Sequence, residues 1–147
     1  MKQRPGGTNP RYRASRMDLS WGDSSVLATS HKPVIFDTNF LFITFQFRVD
    51  VIREIERLLG QDVTYFITEA TFHELETIDA RRDKNRKYLP LVLSFLERYR
   101  FTVIRTGDET YVDDLLLDWA ASWEFYVATS DKELKHRLKG RGRKVIY

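Results

Sequence analysis

Cysteine is absent from this 147-residue chain. That excludes disulfides, zinc ribbons and thiol catalysis, and it agrees with a cytoplasmic setting. No apolar run approaches the ~18 residues that span a bilayer, so no membrane partner is expected. The basic residues near Met1 are followed by no apolar h-region, so a secretory signal is not expected either. No glycine-rich loop follows the first apolar run, which leaves a phosphate-receiver or nucleotide-binding α/β domain without support. His31, His73 and His136 share no metal-ligand spacing, and His73 reads as a surface residue beside Glu74. Internal repeats are also lacking. What is present suffices for a single packed core: hydrophobic residues make up 42% and aromatic residues 14%, in a chain of one-domain length.

The net charge of +3 hides an asymmetry. Residues 1–32 carry six Lys/Arg against Asp18 and Asp23, and residues 131–147 carry seven against Asp131 and Glu133. The 98 residues between them hold seventeen acids against eleven Lys/Arg. An acidic body with basic ends suits a polyanion gripped from outside while cations neutralise the centre. Solubilising charge on a tail and a final helix is the plain alternative.

Residues 1–32 are rich in Gly, Pro, Ser, Arg and Asn and show no hydrophobic period. They are expected to form a basic, flexible extension, with Leu19, Trp21, Val26 and Leu27 available to dock on a body spanning residues 33–147. From Lys32 onward strands alternate with helices. Strands are expected at Val34–Asp37, Val63–Ile67, Phe101–Ile104, Phe125–Thr129 and Lys144–Ile146. A helix near Phe47–Leu59 places Val51, Ile55 and Leu58 on one face, and Gly60 closes it. Thr68 caps a second helix, with Phe72, Leu75 and Ile78 sharing a face. Pro90 sits in the first turn of a third, with Val92, Phe95, Leu96 and Tyr99 as its stripe. Val112, Leu115, Leu116 and Trp119 mark a fourth, and Asp131–Leu138 is the last. This order predicts an α/β fold of three layers around a central, mostly parallel sheet of four to five strands.

Acids recur where the apolar runs give out. Asp37 ends the first strand, Glu69 and Glu74 follow the second, Asp113 and Asp114 follow the third, and Asp131 follows the fourth. A parallel sheet gathers such strand ends at one edge, where ligands settle at the switch in strand order. Singly, each acid has a bland reading: a turn or cap for Asp37, a boundary salt bridge for Glu74, a helix cap for Asp131. Together at one edge they repel one another, and a bound cation is the economical explanation. Oxygen-only ligation points to Mg²⁺ or Mn²⁺. Helical geometry separates the adjacent pair. Asp113 shares a row with Leu117, Ala120 and Ala121, which lean inward, and Asp114 stands over Asp118 and Ser122, which face outward. Asp113 is therefore the better ligand, and Asp114 a partner of the helix dipole or a supporting group behind the ligands.

Val34-Ile35-Phe36-Asp37-Thr38-Asn39, then Ile67-Thr68 through His73-Glu74-Leu75-Glu76, then Asp113-Asp114-Leu115-Leu116, then Val127-Ala128-Thr129-Ser130-Asp131-Lys132-Glu133-Leu134 resemble the ordered signature of PIN-domain nucleases. The resemblance covers about residues 33–147, and the run from Phe125 to Tyr147 looks most like the branch that processes small-subunit ribosomal RNA. It implies a metal-dependent endoribonuclease that hydrolyses phosphodiester bonds of single-stranded RNA, in RNA processing or decay. It further implies Asp37, Glu74, Asp113 and Asp131 as the catalytic Mg²⁺ or Mn²⁺ ligands, with Asn39 and Thr129 behind them. Glu133 occupies a position where some members place a further acid. The basic N-terminal extension is not part of the minimal family domain.

The alternatives are the toxin half of a toxin–antitoxin pair, which would add an antitoxin as partner, and a non-catalytic RNA-binding or assembly protein, which would add a ribosome-assembly partner. Lys132, Lys135, Arg137, Lys139 and Arg141 form a dense basic stretch beside Asp131 and are the expected RNA contacts. The Arg81–Lys87 run reads as a solvated loop able to grip phosphates. Phe40, Phe42, Phe45 and Phe47 are expected mostly in the core, with one or two free to stack bases or to pack in a homodimer contact.

Overall fold

The computed structural model describes residues 18–81, 83–107, 111–140 and 144–146. Six strands pair within it: β1 Ser20–Gly22, β2 Pro33–Phe36, β3 Thr64–Thr68, β4 Thr102–Ile104, β5 Tyr126–Ala128 and β6 Lys144–Ile146. The helices are α1 Val26–Thr29, α2 Thr38–Gln46, α3 Val51–Leu59, α4 Glu69–Arg81, α5 Leu89–Arg98, α6 Val112–Ala120 and α7 Lys132–Gly140, with a short 3₁₀ turn over Lys84–Tyr88.

Every strand pair is parallel, in the order β1-β4-β3-β2-β5-β6. Parallel strands buried on both faces read as continuous apolar runs, and their two-residue period divides them between two cores. Val34, Phe36, Tyr65, Ile67 and Val103 point to one side, where α2, α3, α4 and α5 cover them. Ile35, Phe66, Ile104 and Val127 point to the other, under α1, α6 and α7. The first layer is strongly aromatic. Phe36 meets Phe40, Tyr65 and Phe101 edge-on at 5.2–5.9 Å between ring centroids, an arrangement worth about 0.5–1.5 kcal/mol per pair beyond area burial.

Two features differ from the sequence expectation. The five expected strands are all present, as β2 to β6, and the described residues add a sixth to the sheet. The extra one is β1, inside the segment expected to be flexible: Ser20, Trp21 and Gly22 pair with Thr102, Val103 and Ile104, and the Arg105 N–H extends the ladder to the Gly22 carbonyl at 2.8 Å. Leu19 and Trp21 pack on the first core, Trp21 against Phe72 at 5.3 Å, while Leu27 is buried in the second and Val26 packs against it.

The second difference is α2. The expected helix near Phe47–Leu59 is present as α3, starting at Val51, and an unexpected helix, α2, precedes it directly after Asp37. The break falls at Phe47–Asp50, where Arg48 adopts φ 54° and Asp50 caps α3 through the Arg53 N–H at 3.1 Å. The buried stripe of α3 is Val51, Ile52 and Ile55, and Leu58 is exposed. Phe40 and Phe42 are core, Phe45 is partly buried against it, and Phe47 is exposed. Gly60 does end α3, at φ 91°, a region that favours glycine, and Pro90 does lie in the first turn of α5.

Candidate active site

Chain order turns back at β2. Successive strands β3 and β4 run outward on one side, and β5 returns to pair with β2 on the other. The carboxyl ends of β2 and β5 therefore flank the switch point, where open α/β sheets bind ligands. Asp37 and Thr129 are the first residues beyond those ends. Their backbones still follow the ladder: the Asp37 N–H donates to the Ala128 carbonyl at 2.9 Å, and that of Thr129 to the Ile146 carbonyl at 3.1 Å.

Thr129 is fully buried. Its hydroxyl donates to Asp37 Oδ2 at 2.9 Å and accepts the Asp131 N–H at 3.0 Å. Asp131 in turn caps α7, Oδ1 accepting from the Glu133 and Leu134 N–H groups at 2.9 and 3.1 Å. On the other side of Asp37, the buried Thr38 hydroxyl donates to that of Thr71 at 2.9 Å, and the Thr71 N–H donates to the Thr68 hydroxyl at 3.2 Å. Thr68 thus caps α4 as its sequence position predicts, and the chain of threonines fixes α4, with Glu74, against the start of α2.

A cleft of about 380 Å³ opens over these residues, lined by Asp37, Thr38, Thr71, Glu74, Tyr111, Asp113, Asp114 and Arg137 above a floor that includes Ile35, Leu116, Val127 and Leu134. Glu74 enters it from α4 and is exposed. Asp113 and Asp114 enter from the first turn of α6, where the helix dipole favours negative charge. Asp113 is half-buried and Asp114 exposed. Asp131 does not line the cleft, yet its charge acts on both Asp37 and Asp113.

The electrostatics are those of crowded carboxylates. Burial holds Asp37 above its ordinary carboxylate value and Asp131 pushes the same way, against the Thr129 hydroxyl and the Thr38 N–H, which favour the charged form. Burial also raises Asp113, followed by the charges of Asp131 and Asp37, with Arg137 opposing. No salt bridge reaches Asp37 or Asp113 among the described residues. Arg137 instead pairs with Asp114 at 2.8 Å, joining α6 to α7 at the cleft.

The remaining expected residues are placed as follows. Asn39 is exposed on α2 and is not among the residues lining the cleft. Glu133, Lys132 and Lys139 are exposed on α7 and Lys135 is half-buried there, and Arg141 lies outside the described residues. Glu69 holds the fold together beside the cleft, its Oε1 accepting the Thr106 and Gly107 N–H groups, both at 3.0 Å, and so tying α4 to the turn after β4. His73 is exposed, 3.9 Å from Glu69. Within the Arg81–Lys87 run, Arg86 reaches back to Asp79 at 3.5 Å. Sequence reasoning passes over Thr71 and Tyr111. Thr71 carries no signal beyond lying three residues after a capping threonine, and Tyr111 none beyond preceding the acid pair.

The carboxylates fit a hard divalent cation by chemistry rather than as a finished cage. Among the described residues no three acids converge as a ready-made metal site. Mg²⁺, however, keeps several waters and takes only one or two carboxylates. Asp37 and Asp113, each made less acidic by burial and by carboxylates close at hand, are a pair whose repulsion such a cation would relieve.

A family model described as a PIN-like domain matches residues 34–147. The chain belongs to that family. Ribonuclease VapC4 of Methanocaldococcus jannaschii is 32% identical over 109 residues, 71% of this chain and 81% of the relative. Ribonuclease VapC9 of Archaeoglobus fulgidus is 32% identical over 114 residues, 77% and 80% of the two. Among solved structures, that of the PIN domain endonuclease Utp24 superposes with a TM-score of 0.58 at 28% identity, over 73% of this chain and 77% of that one. The family match begins one residue into β2, so β1 and α1 precede the matched part of this PIN-like chain.

Proposed function

We propose that this PIN-like protein is a divalent-metal-dependent endoribonuclease, with Asp37, Glu74, Asp113 and Asp131 as its catalytic acids and Mg²⁺ or Mn²⁺ as its cofactor. One observation carries the reading: Asp37 and Asp113, supplied by different elements at the switch point of the sheet, are half-buried in one cleft without an ion-pair partner among the described residues. The similarity to two archaeal ribonucleases and to a PIN endonuclease supports RNA as substrate.

Asp37 and Asp113 would hold the cation, with Glu74 lining the cleft beside them and Asp131 adding charge from behind. When bound, the cation would acidify a water and place positive charge beside the phosphate. Hydrolysis would join the water's oxygen to phosphorus, break the bond to the leaving sugar oxygen and pass the proton the water releases to that oxygen. The Thr129 hydroxyl keeps one Asp37 oxygen aimed, and Asp114 holds Arg137 at the cleft, where the guanidinium faces incoming phosphate. Lys132, Lys135 and Lys139, with Arg141, would track the backbone of a single strand along α7 and beyond. Asn39 and Glu133 are assigned lesser supporting roles beside the acids. Residues 1–32 are assigned as a basic extension ahead of the nuclease domain over 33–147, in a cytoplasmic protein that works alone or as a homodimer. RNA processing or decay is the setting proposed. The toxin half of a toxin–antitoxin pair would use the same chemistry, and similarity to the two archaeal ribonucleases keeps an antitoxin as the partner of that second reading.

The test is cleavage of several single-stranded RNAs by purified protein. Activity is expected with Mg²⁺ or Mn²⁺, lost in EDTA, restored by excess metal, and absent in Asp37→Asn. Metal-independent cleavage, or full activity of Asp37→Asn, would overturn the assignment.

A further inference from the structure

Tyr111 stands at the mouth of the acid cleft with 70% of its surface exposed. Of the described residues that line the cleft only Phe36 and Tyr111 are aromatic, and Phe36 is buried in the core at 1% exposure. Such an exposed ring leaves apolar surface in water that burial against a flat partner would stabilise. Its backbone is held: the Tyr111 carbonyl accepts the Asp114 and Leu115 N–H groups at 3.1 and 3.2 Å, which makes Tyr111 the residue on which α6 starts. The residue's backbone is thus fixed two residues before Asp113, and Tyr111 lines the same cleft as Arg137, which is tied to Asp114. An aromatic face beside a cation-rich or carboxylate–metal centre is the arrangement by which proteins hold unpaired bases while the adjoining phosphate is engaged.

We infer that Tyr111 is a base-stacking subsite, receiving the nucleobase of a nucleotide next to the cleaved phosphate. The inference rests on the ribonuclease reading and deepens it. Stacking is sequence-tolerant because every base has a π face, so Tyr111 sets the register of the strand over the acids more than it selects a base. The phenolic oxygen has no part in this, and the ring alone carries the effect.

The experiment is binding of a fluorescent single-stranded oligoadenylate to the full chain in Ca²⁺, followed by polarisation, alongside cleavage kinetics in Mn²⁺. Tyr111→Ala is expected to weaken binding by about 5–150-fold, the equivalent of 1–3 kcal/mol per stacked base, and to raise KM more than it lowers kcat. Tyr111→Phe should behave as the unsubstituted protein, and the thermal midpoint of either variant should be unchanged. A strand with one abasic site placed over the subsite should bind both Tyr111→Ala and the unsubstituted chain equally. Equal binding of the intact strand by Tyr111→Ala, or a loss that persists in full with every abasic strand, would overturn the stacking role while leaving cleavage as it stands. Failure of the unsubstituted protein to bind or cut the strand would overturn the ribonuclease reading, and the subsite with it.

Discussion

The Thr129 hydroxyl donates a 2.9 Å hydrogen bond to Asp37 Oδ2 across 92 residues of sequence. It links the ends of β2 and β5, and the same hydroxyl accepts the Asp131 N–H. One fully buried side chain therefore bonds to two of the proposed catalytic acids.

Thr129→Val keeps the shape of the residue and removes both hydrogen bonds. Groups that orient metal ligands typically contribute 10–100-fold to activity, and a loss of about that size in kcat/KM is expected. Stability should fall by about 1–3 kcal/mol, because the Asp131 N–H and the Asp37 carboxylate lose a partner. Thr129→Ser, which retains the hydroxyl, should recover most of the activity. Steady-state kinetics and denaturant melts of the two variants test this, and an active, stable Thr129→Val would show that the link is dispensable.

Asp37→Asn should abolish cleavage and yet raise stability in EDTA at neutral pH. The sign follows from the raised carboxyl groups. Asp37 and Asp113 both sit above the ordinary carboxylate value in the folded protein, so the fold favours their protonated forms. That contribution is present below the unfolded value and is lost as pH rises through the folded ones. The gain in Tm from Asp37→Asn should thus amount to a few degrees near pH 7 and fade as pH drops into the ordinary carboxylate range. A Tm difference that stays constant with pH would contradict the crowded-carboxylate description.

Divalent cations should stabilise the protein. A ligand at a hundred times its dissociation constant adds about 2.7 kcal/mol, and Mn²⁺ titration should raise Tm until saturation. Asp37→Asn and Asp113→Asn should blunt that rise. A Tm indifferent to Mn²⁺ and Mg²⁺ in the unsubstituted protein would remove the cation from the site.

Asp113→Asn should damage activity far more than Asp114→Asn. Asp113 is half-buried and feels the charges of Asp37 and Asp131, whereas Asp114 is exposed and spends its charge on Arg137. An exposed ion pair is worth no more than about 1 kcal/mol, so Asp114→Asn should cost roughly fivefold or less. Matching losses in side-by-side kinetic assays would assign the two acids equal roles.

The strand ends and their acids are legible in the sequence because parallel strands buried on both faces appear as uninterrupted apolar runs, and a carboxylate ending such a run has few places to go. Helical rows anticipate the difference in burial between Asp113, half-buried, and the exposed Asp114, but not the exposure of Ala121, which the same rows place inward. Thr38–Gln46 is not. Its aromatic and β-branched residues have weak helix propensity, and α2 is apolar nearly all round, so no amphipathic stripe marks it. The strand β1 is hidden for another reason: three residues carry no period, and only their pairing with Thr102–Ile104 makes them a strand. The threonine chain from Thr38 to Thr68 and the exposure of Tyr111 depend on which elements meet in space, which residue spacing does not disclose.

The pairing of β2 with β5 has a bearing on synthesis. A chain leaving the ribosome presents Asp37 and Glu74 early, but β2 lacks its second neighbour until Tyr126–Ala128 has emerged. Domains form as units once their parts are available, and Thr129 and Asp131 come later still. A nascent or prematurely terminated chain of this kind holds half a cleft and no complete set of acids. The cleft is therefore complete only after the chain has passed Arg137, the last of its described lining residues.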